Sequence, residues 1–126
     1  MRGADMDTDK LNKLMKQSNT IIIIIKFTAG WCKPCRIISP MFEEYILKYF
    51  DRDDVMVGEV DIDTSEFYKE LKRKRMINGI PCIMAFYKKD DNYQYLIPDD
   101  SITGANIQDV SLFLNRCNTY IINHTK

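Results

Sequence analysis

Apolar and polar residues alternate along this chain with three periods, and each change of period marks a new element. Leu11, Leu14 and Met15, preceded by Met6, recur at helical spacing between Asp5 and Gln17, which predicts a short amphipathic helix over about 6–17. The run Ile21–Phe27, "IIIIIKF", is β-branched and almost wholly apolar, as expected of a strand covered on both faces at the centre of a mixed sheet. From Ile37 the period returns to helical, through Ile38, Met41, Phe42, Tyr45, Ile46, Tyr49 and Phe50. Pro34 sits where a first turn accepts it, and Pro40 inside the pattern predicts a kink instead of a stop. "VMVGEVDI", over Val55–Ile62, alternates as a second central strand. Ser65 to Lys74 then reads as a polar helix with Asp63, Thr64 or Ser65 as its cap. "NGIPCIMAFY" is a turn opening a third strand, Tyr93 to Ile97 a fourth, and Ile107 to Ile121 a closing helix with Val110, Phe113 and Leu114 inward. The order is α, β, α, β, α, two strands and a helix. It predicts an α/β fold with a small mixed sheet flanked by helices on both faces.

Length and charge narrow the field. At 126 residues the chain fits one domain, 1–126, with a core over about 20–116. Acidic and basic residues balance at 18 each, so no charge excess points to nucleic acid or to a membrane surface. The N-terminal residues lack the apolar stretch of a secretory signal, and the isoleucine run is far shorter than the ~20 residues of a membrane span. A cytoplasmic protein is the expectation, and the partner readings exclude nucleic acid and membrane.

The candidate chemistry lies in "TAGWCKPCR", Thr28–Arg36, directly after the most apolar segment. Two cysteines separated by two residues suit a metal, a structural crosslink or a reversible disulfide. A structural framework is disfavoured because a reducing compartment would not maintain it. Zinc is disfavoured because Cys82, Cys117 and His124 are isolated and supply no second ligand pair, so the expected metal content is none. Position favours redox chemistry. Cys32 and Cys35 fall at a strand's end and a helix's first turn, where unpaired backbone N–H groups and the helix dipole favour a thiolate. Lys33 adds a cationic neighbour, and Cys35 stands where it can resolve a mixed disulfide formed at Cys32.

In order, "FTAGWCKPCR", "EVDID", "GIPCIMAF" and "TGA" resemble the thioredoxin family from about Ile21 to Leu114. The resemblance implies a thioredoxin-like fold, with Cys32 as the exposed attacking thiol and Cys35 as the buried resolving one. It implies that Trp31 packs beside the site, that Pro81 follows a cis peptide facing the cysteines, and that Gly79, Ile80 and Gly104 border a substrate groove with Lys33 and Pro34. It also implies disulfide-containing protein substrates, an electron donor of the thioredoxin-reductase type, no bound cofactor and a monomer.

Thioredoxins usually place an acidic residue before the phenylalanine of the first central strand and a lysine on the next. Here those positions hold Lys26 and Glu59. Either the ammonium reaches the sheet edge while Glu59 is solvated, or the two form a partly buried pair with exchanged signs. In a pair, Glu59 is a candidate proton acceptor for Cys35, or Lys26 stabilises the Cys35 thiolate directly. Cys82 stands after Pro81 where the family commonly has threonine, and is either a small buried apolar residue or an auxiliary redox thiol. Cys117 is read as inert or as a surface thiol. The segment 88–102 is longer than in a compact thioredoxin. Its acidic residues Asp99 and Asp100 either lie near the groove, if Gly104 holds the family position, and select basic substrates, or form a merely solvated turn. The expected function is a protein-disulfide reductase. Its rivals are an isomerase or oxidase and a binding module that docks partners through the same groove.

Overall fold

The computed structural model describes residues 8–17, 19–89 and 97–125. Eight elements follow in order: α1 (Thr8–Gln17), β1 (Ile22–Thr28), α2 (Lys33–Tyr49), β2 (Val55–Asp61), α3 (Glu66–Arg73), β3 (Cys82–Tyr87), β4 (Asp100–Thr103) and α4 (Ile107–His124). The strands form one mixed sheet in the order β2-β1-β3-β4, with β1 parallel to β2 and antiparallel to β3, and β4 antiparallel to β3.

β1 is the centre. From Ile22 to Phe27 every residue is buried, because neighbouring strands satisfy its backbone on both sides and helices cover both faces. Ile23, Ile25 and Phe27 face one layer with Leu11 and Met15 of α1 and Phe67 and Leu71 of α3. Ile22 and Ile24 face the other, with Ile38, Phe42 and Ile46 of α2 and Val110, Phe113 and Leu114 of α4. The period-2 alternation of the strand thus divides one apolar run between two cores.

The helices start where their caps dictate. Ser65 caps α3, its hydroxyl accepting from Tyr68 N at 3.0 Å, and Asn106 caps α4 through Asp109 N at 3.0 Å. α3 ends in Lys72 and Arg73, where cations suit the dipole. Pro40 lies inside α2, and the helix continues through it to Tyr49. Among the described residues, no helix is long and apolar enough to cross a membrane.

Two expectations fall wholly or mainly outside the described residues, and one changes. The predicted fourth strand at Tyr93–Ile97 falls mainly outside the described residues, and Ile97 is in a bend. Among the described residues the fourth strand is Asp100–Thr103, whose side chains alternate between exposed and partly buried. Its only large apolar residue is Ile102, so an edge strand of this composition carries little hydrophobic pattern. Asp5 and Met6, where the first helix is expected to begin, lie outside the described residues, and the described part of α1 runs Thr8–Gln17. Finally, Cys117 is no surface thiol. It is fully buried on the inner face of α4, among the apolar residues under α2.

Burial of Cys117 has a stability consequence. Desolvation pushes its thiol up to about 12, and Tyr87 is pushed up to about 12 mainly by the same cause. Both are acids whose folded values are raised, so the stability they lend is complete below their unfolded values and is lost as pH rises toward the folded ones. The unfolding free energy of the wild type should therefore fall as the medium is taken from about pH 9 toward pH 11, at up to about 1.4 kcal/mol per pH unit for Cys117, with a smaller contribution from the partly solvated Tyr87 at the upper end. Cys117→Ala should flatten that slope while lowering stability at neutral pH. Equal slopes in the two proteins would show that Cys117 does not titrate this way.

Candidate active site

β1 delivers the chain to one edge of the sheet, and α2 leaves from it. Between them, Ala29 is buried, Gly30 and Trp31 turn outward, and Cys32 N donates to Ala29 O at 3.1 Å. Cys32 is the N-cap of α2, in extended backbone at φ −85° and ψ 101°, and its Sγ accepts from Cys35 N at 3.2 Å. A sulfur therefore stands where a serine or aspartate oxygen usually caps a helix, facing N–H groups that favour negative charge. Cys32 and Cys35 are joined by a disulfide, with their Cα atoms 5.3 Å apart.

The expectation of an exposed Cys32 needs correction for this oxidised state. Cys32 is 3% exposed and Cys35 1%. The bond ties the two sulfurs over the first turn, and Ala29, Ile62 and Ile80 pack against the pair. Lys33 and Pro34, between them, are exposed.

The other predicted site residues come from three directions. Trp31 remains 65% exposed, yet its Nε1 donates to the Asp63 carboxylate, at 2.9 Å to Oδ2 and 3.2 Å to Oδ1. Arg36 Nη1 donates to Gly30 O at 2.7 Å and ties the turn to α2. The Ile80–Pro81 peptide bond is cis. Cys82 is level with Phe27 in the sheet, so Pro81 and Ile80 lie beside the end of β1 where the cysteines begin. Gly104 N donates to Pro81 O at 2.8 Å, and Gly104 has φ +110°, a conformation that favours glycine. At Gly79 a side chain would come within 3.4 Å of Thr103 Cγ2.

Beneath α2 lies the pair with exchanged signs. Lys26 and Glu59 are neighbours in the β1–β2 register, and Lys26 Nζ is 3.6 Å from Glu59 Oε2. Lys26 is 1% exposed and Glu59 36%, so the cation is buried and the carboxylate reaches solvent. Lys26 Nζ also donates to Ser39 Oγ at 2.6 Å and lies 5.3 Å from the centre of the Phe42 ring. These contacts offset the desolvation of the ammonium.

Cys82 matches the reading of a small buried residue, and the acidic residues Asp99 and Asp100 lie away from the site. Cys82 is buried and unbonded to sulfur, and desolvation pushes its thiol up, partly opposed by a hydrogen bond with Thr103. Asp99 and Asp100 do not border the groove. Asp100 pairs with Ala85 while Thr103 pairs with Cys82, which puts the acidic residues at the far end of that ladder. Asp99 accepts from Tyr87 N and from Lys89, and Asp100 holds Arg116 at 2.7 Å.

Ser39 carries no site reading in the sequence, and Asp63 only that of a helix cap. Asp63 closes "EVDID", but nothing in that run shows that it meets an indole 32 positions earlier. Ser39 follows Cys35 by one helical turn, and that spacing was the available signal.

The thioredoxin family model matches residues 4–109. The chain is 44% identical over 98 residues to a thioredoxin of Coprinus comatus, covering 78% of this chain and 80% of that one. It is 32% identical over 82 residues to a protein disulfide-isomerase of Schizosaccharomyces pombe, covering 61% of this chain but only 22% of that protein. Its structure superposes on that of Schistosoma mansoni thioredoxin with a TM-score of 0.65 at 27% identity, over 92% of this chain and 93% of the other.

The Trp31–Asp63 contact gives a direct test through the chain's single tryptophan. Asp63→Ala should lower indole anisotropy and raise its quenching by acrylamide, with stability changed by no more than about 1 kcal/mol for loss of one exposed hydrogen bond. Unaltered fluorescence would mean that the carboxylate does not hold the ring in solution.

Proposed function

The chain belongs to the thioredoxin family, a family of disulfide oxidoreductases, and we propose that within it this protein is a reductase of protein disulfides. The observation that carries the reading is the placement of Cys32 as the N-cap of α2, with Cys35 one turn deeper and the Ile80–Pro81 loop packed beside them. In the reduced protein, the Cys32 thiolate attacks one sulfur of a substrate disulfide and expels the other as a thiolate. Cys35 then attacks Cys32 Sγ, the substrate's second sulfur leaves, and the Cys32–Cys35 disulfide forms. Two electrons pass to the substrate, whose thiolates take protons from solvent. An external donor, of the flavoprotein reductase class, restores the dithiol.

The groove between Trp31 and Pro81 is the proposed substrate seat. Trp31, Lys33, Pro34, Gly79, Ile80 and Gly104 border it, and an extended segment carrying the disulfide would lie against the loop before β3. Among the charged pair, we assign Lys26 to stabilising the Cys35 thiolate and Glu59 to balancing that cation, because Lys26 shares a hydroxyl with the Cys35 backbone. The dithiol must be kept reduced between turnovers, so a cytoplasmic setting belongs to the proposal.

An isomerase or oxidase is the second reading, favoured by Lys33 between the cysteines and by the likeness to a disulfide isomerase. Pro34 in the same pair favours the reductase. Equilibration with a glutathione or dithiothreitol buffer should give a potential nearer roughly −270 mV than roughly −180 mV, the reference values for thioredoxin and disulfide isomerase. A value at or above the second would replace reductase by isomerase. Cys32→Ser should abolish reduction of insulin disulfides, whereas Cys35→Ser should accumulate substrate mixed disulfides. Partner capture that is equal in Cys35→Ser and in Cys32→Ser/Cys35→Ser would instead mark a binding module.

A further inference from the structure

Ser39 lies one turn beyond Cys35 on the face of α2 that rests on β1. Its hydroxyl makes two hydrogen bonds of opposite sense, donating to Cys35 O at 2.9 Å and accepting from Lys26 Nζ at 2.6 Å. With its single hydrogen committed to the carbonyl, the oxygen offers only lone pairs to the lysine. The short separation suits a charge-assisted bond from an ammonium. Glu59 Oε2 lies farther away, at 3.6 Å and toward solvent. Ser39 is the nearer of these two groups, and it draws the cation toward the first turn of α2.

We propose that Ser39 is a positioning residue for the second half of the exchange, holding the Lys26 ammonium under the first turn of α2, where its charge favours the Cys35 thiolate. The proposal rests on the reductase reading, since it assigns Lys26 and Ser39 a part in that reaction. In the step concerned, the Cys35 thiol releases its proton to solvent and the thiolate attacks Cys32 Sγ. The bond from Cys32 to the substrate sulfur breaks, and that sulfur leaves with the electron pair and is protonated by solvent. Lys26 stays an ammonium throughout.

The other charged or titratable groups around Cys35 are accounted for. On α2, Lys33 and Arg36 are exposed, and Arg36 is bound to Gly30 O. Cys32 is the reaction partner. From β2 and the turn after it, Glu59 pairs with Lys26, Asp61 accepts from Asp63 N, and Asp63 holds Trp31. β3 contributes the buried Cys82, which meets Thr103 of β4. The described residues thus place one buried cation beneath this turn, and Ser39 joins it to Cys35.

The test follows reduced protein mixed with the aryl disulfide 5,5′-dithiobis(2-nitrobenzoate) in a stopped-flow instrument across a range of pH. The first aryl thiolate released reports attack by Cys32, and the second reports closure by Cys35. Ser39→Ala should leave the first phase unchanged and move the midpoint of the second-phase pH profile upward. Below that midpoint closure should slow roughly three-fold, the effect of half a pKa unit on thiolate fraction, with the same plateau at high pH. Ser39→Thr, which keeps the hydroxyl, should restore the profile. Lys26→Met should shift the midpoint by about one unit or more, the usual influence of a close opposite charge. In the Lys26→Met background, Ser39→Ala should add nothing. An unmoved midpoint in Ser39→Ala, or an equal further shift in Lys26→Met, would overturn the proposal. Release of only one equivalent of aryl thiolate per wild-type molecule, with no disulfide closed, would overturn the reductase reading beneath it.

Discussion

The whole molecule depends on β1 being covered on every side. A strand with helices on both faces and strands along both edges can expose no backbone group to water, so its neighbours must satisfy each one. β2 and β3 do so, and the apolar side chains from Ile22 to Phe27 then draw α1 and α3 to one face and α2 and α4 to the other. Burying an isoleucine contributes about 1.5–3 kcal/mol, and four consecutive ones make this the segment least able to shift. Whatever leaves its end is positioned by the most rigid part of the fold.

That rigidity is what the cysteine pair requires. Thiol–disulfide exchange needs two sulfurs at a set separation, one of them activated, and little else from the protein. The turn after β1 places Cys32 on the helix N-terminus, and the first turn of α2 places Cys35 behind it. Ile80 and Pro81 reach the same edge because β3 runs antiparallel beside β1 and begins there. The Arg36–Gly30 and Trp31–Asp63 hydrogen bonds secure the exposed rim.

Lys26 departs from the apolar character of the strand, and it is tolerated because groups of different kinds receive its charge. Glu59 supplies an opposite charge, Ser39 a lone pair, and Phe42 the face of a ring. An isolated ammonium at 1% exposure would carry a desolvation penalty of several kcal/mol. The arrangement places positive charge beneath a helix whose own N-terminus is already positive and favours an anionic sulfur at its cap.

The central strands, the helix after the cysteines and the closing helix were legible because their patterns are strong and local. Ile21–Phe27 needs no partner to be read as a buried strand, and Trp31–Cys35 carries its chemistry in its spacing. β4 was not legible, since an edge strand with one large apolar residue resembles a loop until Ala85 and Cys82 pair with it. Cys117 looked neutral because its burial depends on which side of α4 meets α2. Asp99 and Asp100 read as groove charges by proximity in sequence, whereas the β3–β4 register carries them away from Pro81 and gives them to Lys89 and Arg116. By itself, the sequence determined the order of the elements other than β4, the doubly covered strand and the CxxC pair, all set by periodicity and spacing over a few residues. Only the tertiary structure decided that Lys26 meets Ser39 and Glu59, and that Asp63 holds Trp31. Such contacts depend on strand register and helix rotation, which bring together side chains that no local pattern relates.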